Sequence, residues 1–161
     1  MNKEEKAVAL FYEGYNCAQA VFCAFADEMG IDLSCARALS SSFGGGMGRL
    51  RQVCGTLSGA VMALGFFFGG YDPADGAAKA VHYARVREIA ARFEREVGSI
   101  VCAEILRAHG QDPAPGGTPG ERTAEFYRKR KVCVDNVALA ARLLEEYLNE
   151  HEEERTDRHD H

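Results

Sequence analysis

The chain predicts an all-α fold, a single-domain bundle of about six to seven helices. Three observations carry that expectation. Apolar residues recur at three- and four-residue spacing along most of the chain. Strand signals are nearly absent, and no hairpin dipeptide such as Asn-Gly separates alternating runs. Glycine and proline gather at a few points, which delimits the helical stretches. At 161 residues the chain suits one domain and can bury a core without cross-links.

Taken in order, a first helix covers roughly residues 3 to 12 and ends at Gly14. A second runs from Asn16, a preferred N-cap type, to Met29, with Gly30 closing it. A short helix follows Ser34. A glycine loop occupies 44 to 48, and a long apolar helix covers roughly 52 to 68. The stretch "YDPADGAAKAVHYARVREIAARFEREVG" opens on an Asp-Pro signal and reads as a long amphipathic helix. Ser99 caps a short helix through Arg107. "HGQDPAPGGTPGE" is a loop. A helical segment over 121 to 130 leads into a last helix over 132 to 150. Residues 1–150 then form the folded domain, and 151–161 an acidic, histidine-containing tail expected to be disordered.

Composition narrows the function. The chain is 47% hydrophobic and 27% charged, with a net charge of -5. That balance argues against nucleic acid as a partner. The longest apolar run, "GAVMALGFFFGG", is too short for a membrane span. The N-terminus lacks the basic and apolar regions of a secretory signal, so a cytoplasmic protein is the expectation. In a reducing compartment, six cysteines point to catalysis or metal binding before permanent disulfides.

Four of the cysteines share a position. Cys17 follows Asn16 and heads the stripe Ala20, Val21, Ala24. Cys54 starts the long apolar helix, in line with Leu57, Val61 and Gly65. Cys102 lies three residues after Ser99, in line with Ile105 and Leu106. Cys133 follows "RKRK" and heads Val137, Ala140 and Leu144. Each lies near a helix N-terminus at the head of a buried face. Unpaired N–H groups and the helix dipole favour negative charge there, and so favour a thiolate. Arg49 and Arg51 are expected to act on Cys54, and Lys131 on Cys133. Cys54 is then expected to be the most reactive thiol. Cys23 falls off the stripe headed by Cys17, and Cys35 opens a short helix; both are accessories. Gly55 and Gly59, four apart, make a smooth strip beside Cys54 that lets another cysteine-bearing helix come close, though plain helix packing would use the same strip.

The pattern resembles the redox-active four-cysteine proteins whose shorthand is C-GCAxxG-C-C. "GYNCAQAV" is similar to that family's first cysteine segment. "CGTLSG" is similar to its central C-G-A-x-x-G motif, with Thr56 where alanine is usual. The "FGGGMGRL" loop and the single cysteines Cys102 and Cys133 complete the match, which covers about residues 10 to 148. Membership implies a redox or cluster role for Cys17, Cys54, Cys102 and Cys133, with Gly55, Thr56, Gly59, Arg49 and Arg51 shaping the site.

Three chemistries remain open. Thiol–disulfide or electron-transfer chemistry, as in an oxidoreductase, fits activated thiols; without C-x-x-C the pair must form across helices. The same four cysteines could instead ligate an iron–sulfur cluster or zinc, although close-spaced ligand pairs are missing. The third is a non-enzymatic helical interaction protein that uses "GFFFGGY" as a surface. Covalent haem is excluded by the lack of C-x-x-C-H. The expected partner is a redox protein or a small-molecule substrate, and a homo-oligomer is compatible with the chain. "FGGGMGR" lacks the Lys-Ser/Thr of a P-loop. His82 and His109 stand alone, and His151, His159 and His161 belong to the solvated tail.

Overall fold

A computed structural model of the chain describes residues 1–155. Among them are nine α-helices and no strand. They are α1 (Lys3–Tyr12), α2 (Cys17–Ala24), α3 (Ala26–Met29), α4 (Leu33–Ser40), α5 (Gly55–Phe68), α6 (Gly76–Val97), α7 (Cys102–Ala108), α8 (Ala124–Lys129) and α9 (Lys131–Glu150). The bundle is all-α, as the periodicity predicts.

The helices start where side chains satisfy free N–H groups. Asn2 with Glu5, and Asn16 with Gln19, form reciprocal capping boxes at α1 and α2. Asp75, not the Asp72-Pro73 pair, caps α6 by accepting from the Ala78 N–H. Val101 stands at the N-cap of α7; the expected cap, Ser99, accepts from the Val101 N–H and also bonds the Glu104 carboxylate. The single helix expected over 16–29 is two helices. The chain tightens at Phe25, whose N–H bonds Phe22 at 3.1 Å, and α3 resumes from the Phe25 carbonyl. Phe25 is fully buried, so a packed side chain fixes the break.

α2 is the centre of the bundle, packed by α1, α4, α5 and α9. It is buried nearly all round, from Ala18 to Ala24. Cys23 is therefore a core residue, 1% exposed, rather than a group on an outer face. α6 lies across α5 and α9 and inserts Ile89 and Phe93. Past α9, Glu152–Glu154 form one 3-10 turn, and Glu154 pairs with Arg85 at 2.7 Å. This first part of the tail is thus docked on α6. His159 and His161 lie outside the described residues.

α2 lies close against α5, and glycine makes the approach possible. A Cβ on Gly59 would stand 2.5 Å from the Ala18 carbonyl oxygen and 3.2 Å from the Val21 Cβ. A Cβ on Gly55 would collide with the Cys17 sulfur. The approaching helix is thus the one that carries Cys17. Gly65, on the same helix, would meet nothing within 4 Å.

The contrast gives a test. Gly59→Ala should destabilise by about 1–3 kcal/mol, because a backbone carbonyl must yield. Gly65→Ala should stabilise by up to about 1 kcal/mol through helix propensity. Thermal melting of both variants checks the pair; equal shifts of one sign would show that the strip is not a contact.

Candidate functional site

Four helix starts meet at one enclosure. Cys17 is the first residue of α2, Cys54 the N-cap of α5, Cys102 the first residue of α7, and Cys133 the third residue of α9. All four line a single cavity of about 380 Å³. All are free thiols, as are Cys23 and Cys35. Cys35 is exposed and Cys23 sits in the core against Ser40, so neither reaches the cavity.

The segment between the glycine loop and α5 builds one wall. Gly45, Gly46 and Gly48 have positive φ, and so do Met47, Arg49 and Arg51 at 67°, 62° and 61°. For residues with a Cβ this conformation is strained, and it persists only where surroundings hold it. A run of backbone bonds does so. The N–H groups of Arg49, Arg51 and Gln52 bond the carbonyls of Gly44, Gly45 and Gly46, and the Gly116 N–H bonds Arg49 O at 2.9 Å. Val53 and Val101 form an isolated antiparallel bridge. Beside it the Cys54 N–H donates to Ile100 O at 2.8 Å and the Cys102 N–H to Gln52 O at 2.6 Å. This short bridge ties the starts of α5 and α7 together and brings Cys54 and Cys102 to one wall. The lack of alternating runs in the sequence gave no sign of it.

The arginines do not stand where the sequence suggests. Arg51 is 6% exposed; its Nε donates to Ala114 O at 3.2 Å, and its Nη1 lies 3.8 Å from the Cys102 sulfur. Arg49 donates to Gly116 O at 2.8 Å. The hydrogen-bond partner of Cys54 is instead the Thr56 hydroxyl, 3.1 Å from its sulfur. Lys131 bonds Asp135, and it is Arg130 whose charge favours the Cys133 thiolate. The left-handed turns at Arg49 and Arg51 aim these side chains across to 114–116 and α7, which neither sequence spacing nor charge reveals.

Burial dominates the sulfurs. It pushes the Cys54 thiol up to about 12; the Cys17 and Cys133 sulfurs add to the rise, against hydrogen bonds from Thr56. Burial likewise pushes Cys133 up to about 11, with Cys17 and Cys102 adding and Arg130 opposing. Cys17 is raised by burial too, while the N–H groups of Gly45, Ala18 and Cys17 itself pull the other way. The expectation that Cys54 is the most activated thiol is therefore corrected. It is the N-cap of α5, but it is 8% exposed and has no guanidinium in contact. The sulfurs act on one another: Cys17 and Cys133 raise Cys54, Cys17 and Cys102 raise Cys133, and Cys102 raises Cys17.

Among the lining residues that escaped the sequence reading are Arg122, Arg130 and Asn136. Arg122 is structural. It bonds the carbonyls of Phe11 and Tyr15 and stacks over Phe11 and Phe126. Arg130 and Asn136 lie three residues before and after Cys133, on its helix face, and that spacing was the available signal. The histidines stay apart from the site. His109 bonds Ile105 O, His151 stacks on Tyr147, and the Nδ1 of His82 is buried without a hydrogen-bond partner.

Among the described residues no three Cys, His, Asp or Glu side chains are placed to hold one ion. No described helix is long and apolar enough to cross a membrane.

Fold and cavity define a class: an all-α protein that gathers four free cysteines, one from each of four helix starts, around one enclosure. Residues 15–147, a span that includes all four, match the family model described as "Putative redox-active protein (C_GCAxxG_C_C)", and the chain belongs to that family. It matches no curated protein and no solved structure.

Ionisation and access together rank the thiols. At neutral pH an uncharged alkylating reagent should modify Cys35 first, and Cys23 and Cys54 last. Cys54 and Cys133 labelling should keep accelerating as pH rises above about 9, because their raised pKa values keep them protonated below it. Timed alkylation with peptide mass spectrometry checks this. Fast Cys54 labelling at neutral pH would contradict the burial that raises it.

Proposed function

We propose that the protein performs thiol–disulfide exchange on a small disulfide substrate in a reducing, cytoplasmic setting, through Cys17, Cys54, Cys102 and Cys133. One observation carries the reading: four helix starts far apart in sequence deliver free sulfurs to one cavity. The two cysteines left out are the exposed one and the one in the core.

Cys102 opens the reaction. Its sulfur loses a proton and attacks one sulfur of the substrate disulfide; a mixed disulfide forms, and one substrate thiolate leaves and takes up a proton. Cys17 then loses its proton and attacks the Cys102 sulfur. The Cys17–Cys102 bond closes, the second substrate thiolate leaves, and it too is protonated. The substrate has gained two electrons and two protons, and the protein has lost them. The Arg51 guanidinium supports Cys102 in the first step, since it favours the thiolate that must form before the attack. Cys17 takes the resolving role because backbone N–H groups at Gly45, Ala18 and Cys17 itself oppose the effect of burial on its sulfur. Cys54 and Cys133, kept as thiols by burial, hold a second electron pair that restores the first by the same exchange.

Oxidised glutathione serves as the test disulfide. Cys17→Ser should accumulate one glutathione on Cys102, read by intact mass and peptide mapping. Cys102→Ser should slow glutathione release about tenfold or more, since the thiol beside Arg51 is gone. If Cys102→Ser releases glutathione at the wild-type rate while Cys35→Ser stops it, the cavity is not the reacting site.

A further inference from the structure

The cavity carries cations without counter-ions. Arg49, Arg51 and Arg130 line it, and no Asp or Glu does. None of the three makes an ion pair among the described residues, although ten ion pairs are present elsewhere. They are close enough to act on one another. Burial lowers the Arg49 pKa first, and the charges of Arg51 and Arg130 lower it further, with Cys102 and then Asp112 opposing. Like charges gathered around one cavity, with Arg51 buried and Arg49 and Arg130 half-buried, repel one another, and an anion relieves that repulsion. Asn136 gives a second, independent sign. It is 6% exposed, it lines the same cavity, and its side-chain amide makes no hydrogen bond within the described protein. Its polar atoms keep access from the cavity and are free to bond a group seated there. The rest of the wall is apolar, with Phe126, Ile105 and Leu106. The volume, about 380 Å³, is that of a small-ligand site.

We infer that the cavity seats a small organic anion, its negative head on Arg49, Arg51 and Arg130 with the Asn136 amide donating to it, and its apolar body against Phe126, Ile105 and Leu106. The inference rests on the exchange reading and names its substrate class: a disulfide that carries an anionic group. Arg51 has a double duty, since one guanidinium serves both the Cys102 sulfur and the anion. An anionic substrate is thereby drawn to the thiol that attacks it. A neutral disulfide of equal size lacks that attraction and should react more slowly.

Titration calorimetry on the reduced protein tests this with three probes: benzoate, the neutral isostere benzamide, and inorganic phosphate. Benzoate should bind at least about tenfold tighter than benzamide, and added salt should weaken it. Arg130→Gln and Asn136→Ala should each weaken benzoate binding, the former about tenfold. Both substitutions remove side-chain volume rather than add it, and thermal melting identifies a variant that fails to fold; the probe comparison on the unaltered protein stands without them. Benzoate bound no tighter than benzamide would overturn the seat, and phosphate bound as tightly as benzoate would overturn the organic part. Glutathione exchange without anion discrimination would end the seat and leave the exchange reading. Benzoate bound tightly, including by Cys102→Ser, by a protein that never exchanges with glutathione would do the reverse.

Discussion

Everything at the site depends on how closely α2 lies on α5. Gly59 lets the Ala18 carbonyl come within reach of the helix axis, and Gly55 leaves room for the Cys17 sulfur. Two side-chain-free positions one turn apart set both the crossing of the central helices and the depth of the cavity. The cost is helix propensity, up to about 1 kcal/mol for each glycine. The return is a sulfur placed against a neighbouring backbone, where a longer side chain on α5 would hold it off. The glycine loop repeats the device. A Cβ on Gly44 would meet the Asn16 side chain, and one on Gly46 the backbone of Arg51 and Gln52.

Two opposed electrostatic effects meet in the resulting enclosure. Burial disfavours a charged sulfur and raises Cys17, Cys54 and Cys133. Backbone N–H groups and guanidinium groups favour it, but unevenly. Arg51 reaches Cys102 and Arg130 reaches Cys133, while Cys54 has only the Thr56 hydroxyl and backbone. The four sulfurs are thus unequal. Cys102 lies beside a guanidinium, the Arg130 charge favours the Cys133 thiolate, Cys17 has backbone N–H groups, and Cys54 has the Thr56 hydroxyl. Thr56, where the family motif has alanine, is the one hydroxyl that touches the buried sulfur.

Much of this was readable in the sequence, for physical reasons. Capping residues and apolar stripes are local signals, so the positions of Cys17, Cys102 and Cys133 at helix starts followed from a few neighbours each. The glycine pair was legible because glycine in a helix requires a reason. What failed was whatever depends on backbone direction. Nothing local tells that Arg49 and Arg51 adopt left-handed conformations, so proximity in sequence pointed them at Cys54 when they cross to 114–116 and α7. The Val53–Val101 bridge is a contact of single residues and leaves no periodicity. Cys23 was misread because α2 is packed from every side, and a helix wheel identifies an inner face only when one side is wet.

The central claim is that four cysteines form one redox site and the other two take no part. Disulfide mapping of the wild-type protein, equilibrated across glutathione buffers of increasing oxidising strength, measures it directly. The account predicts that the first intramolecular bond joins two of Cys17, Cys54, Cys102 and Cys133, with Cys23 and Cys35 still free when it has formed. A first bond that includes Cys35 or Cys23, or four cavity cysteines that remain thiols while Cys35 oxidises between molecules, would contradict it.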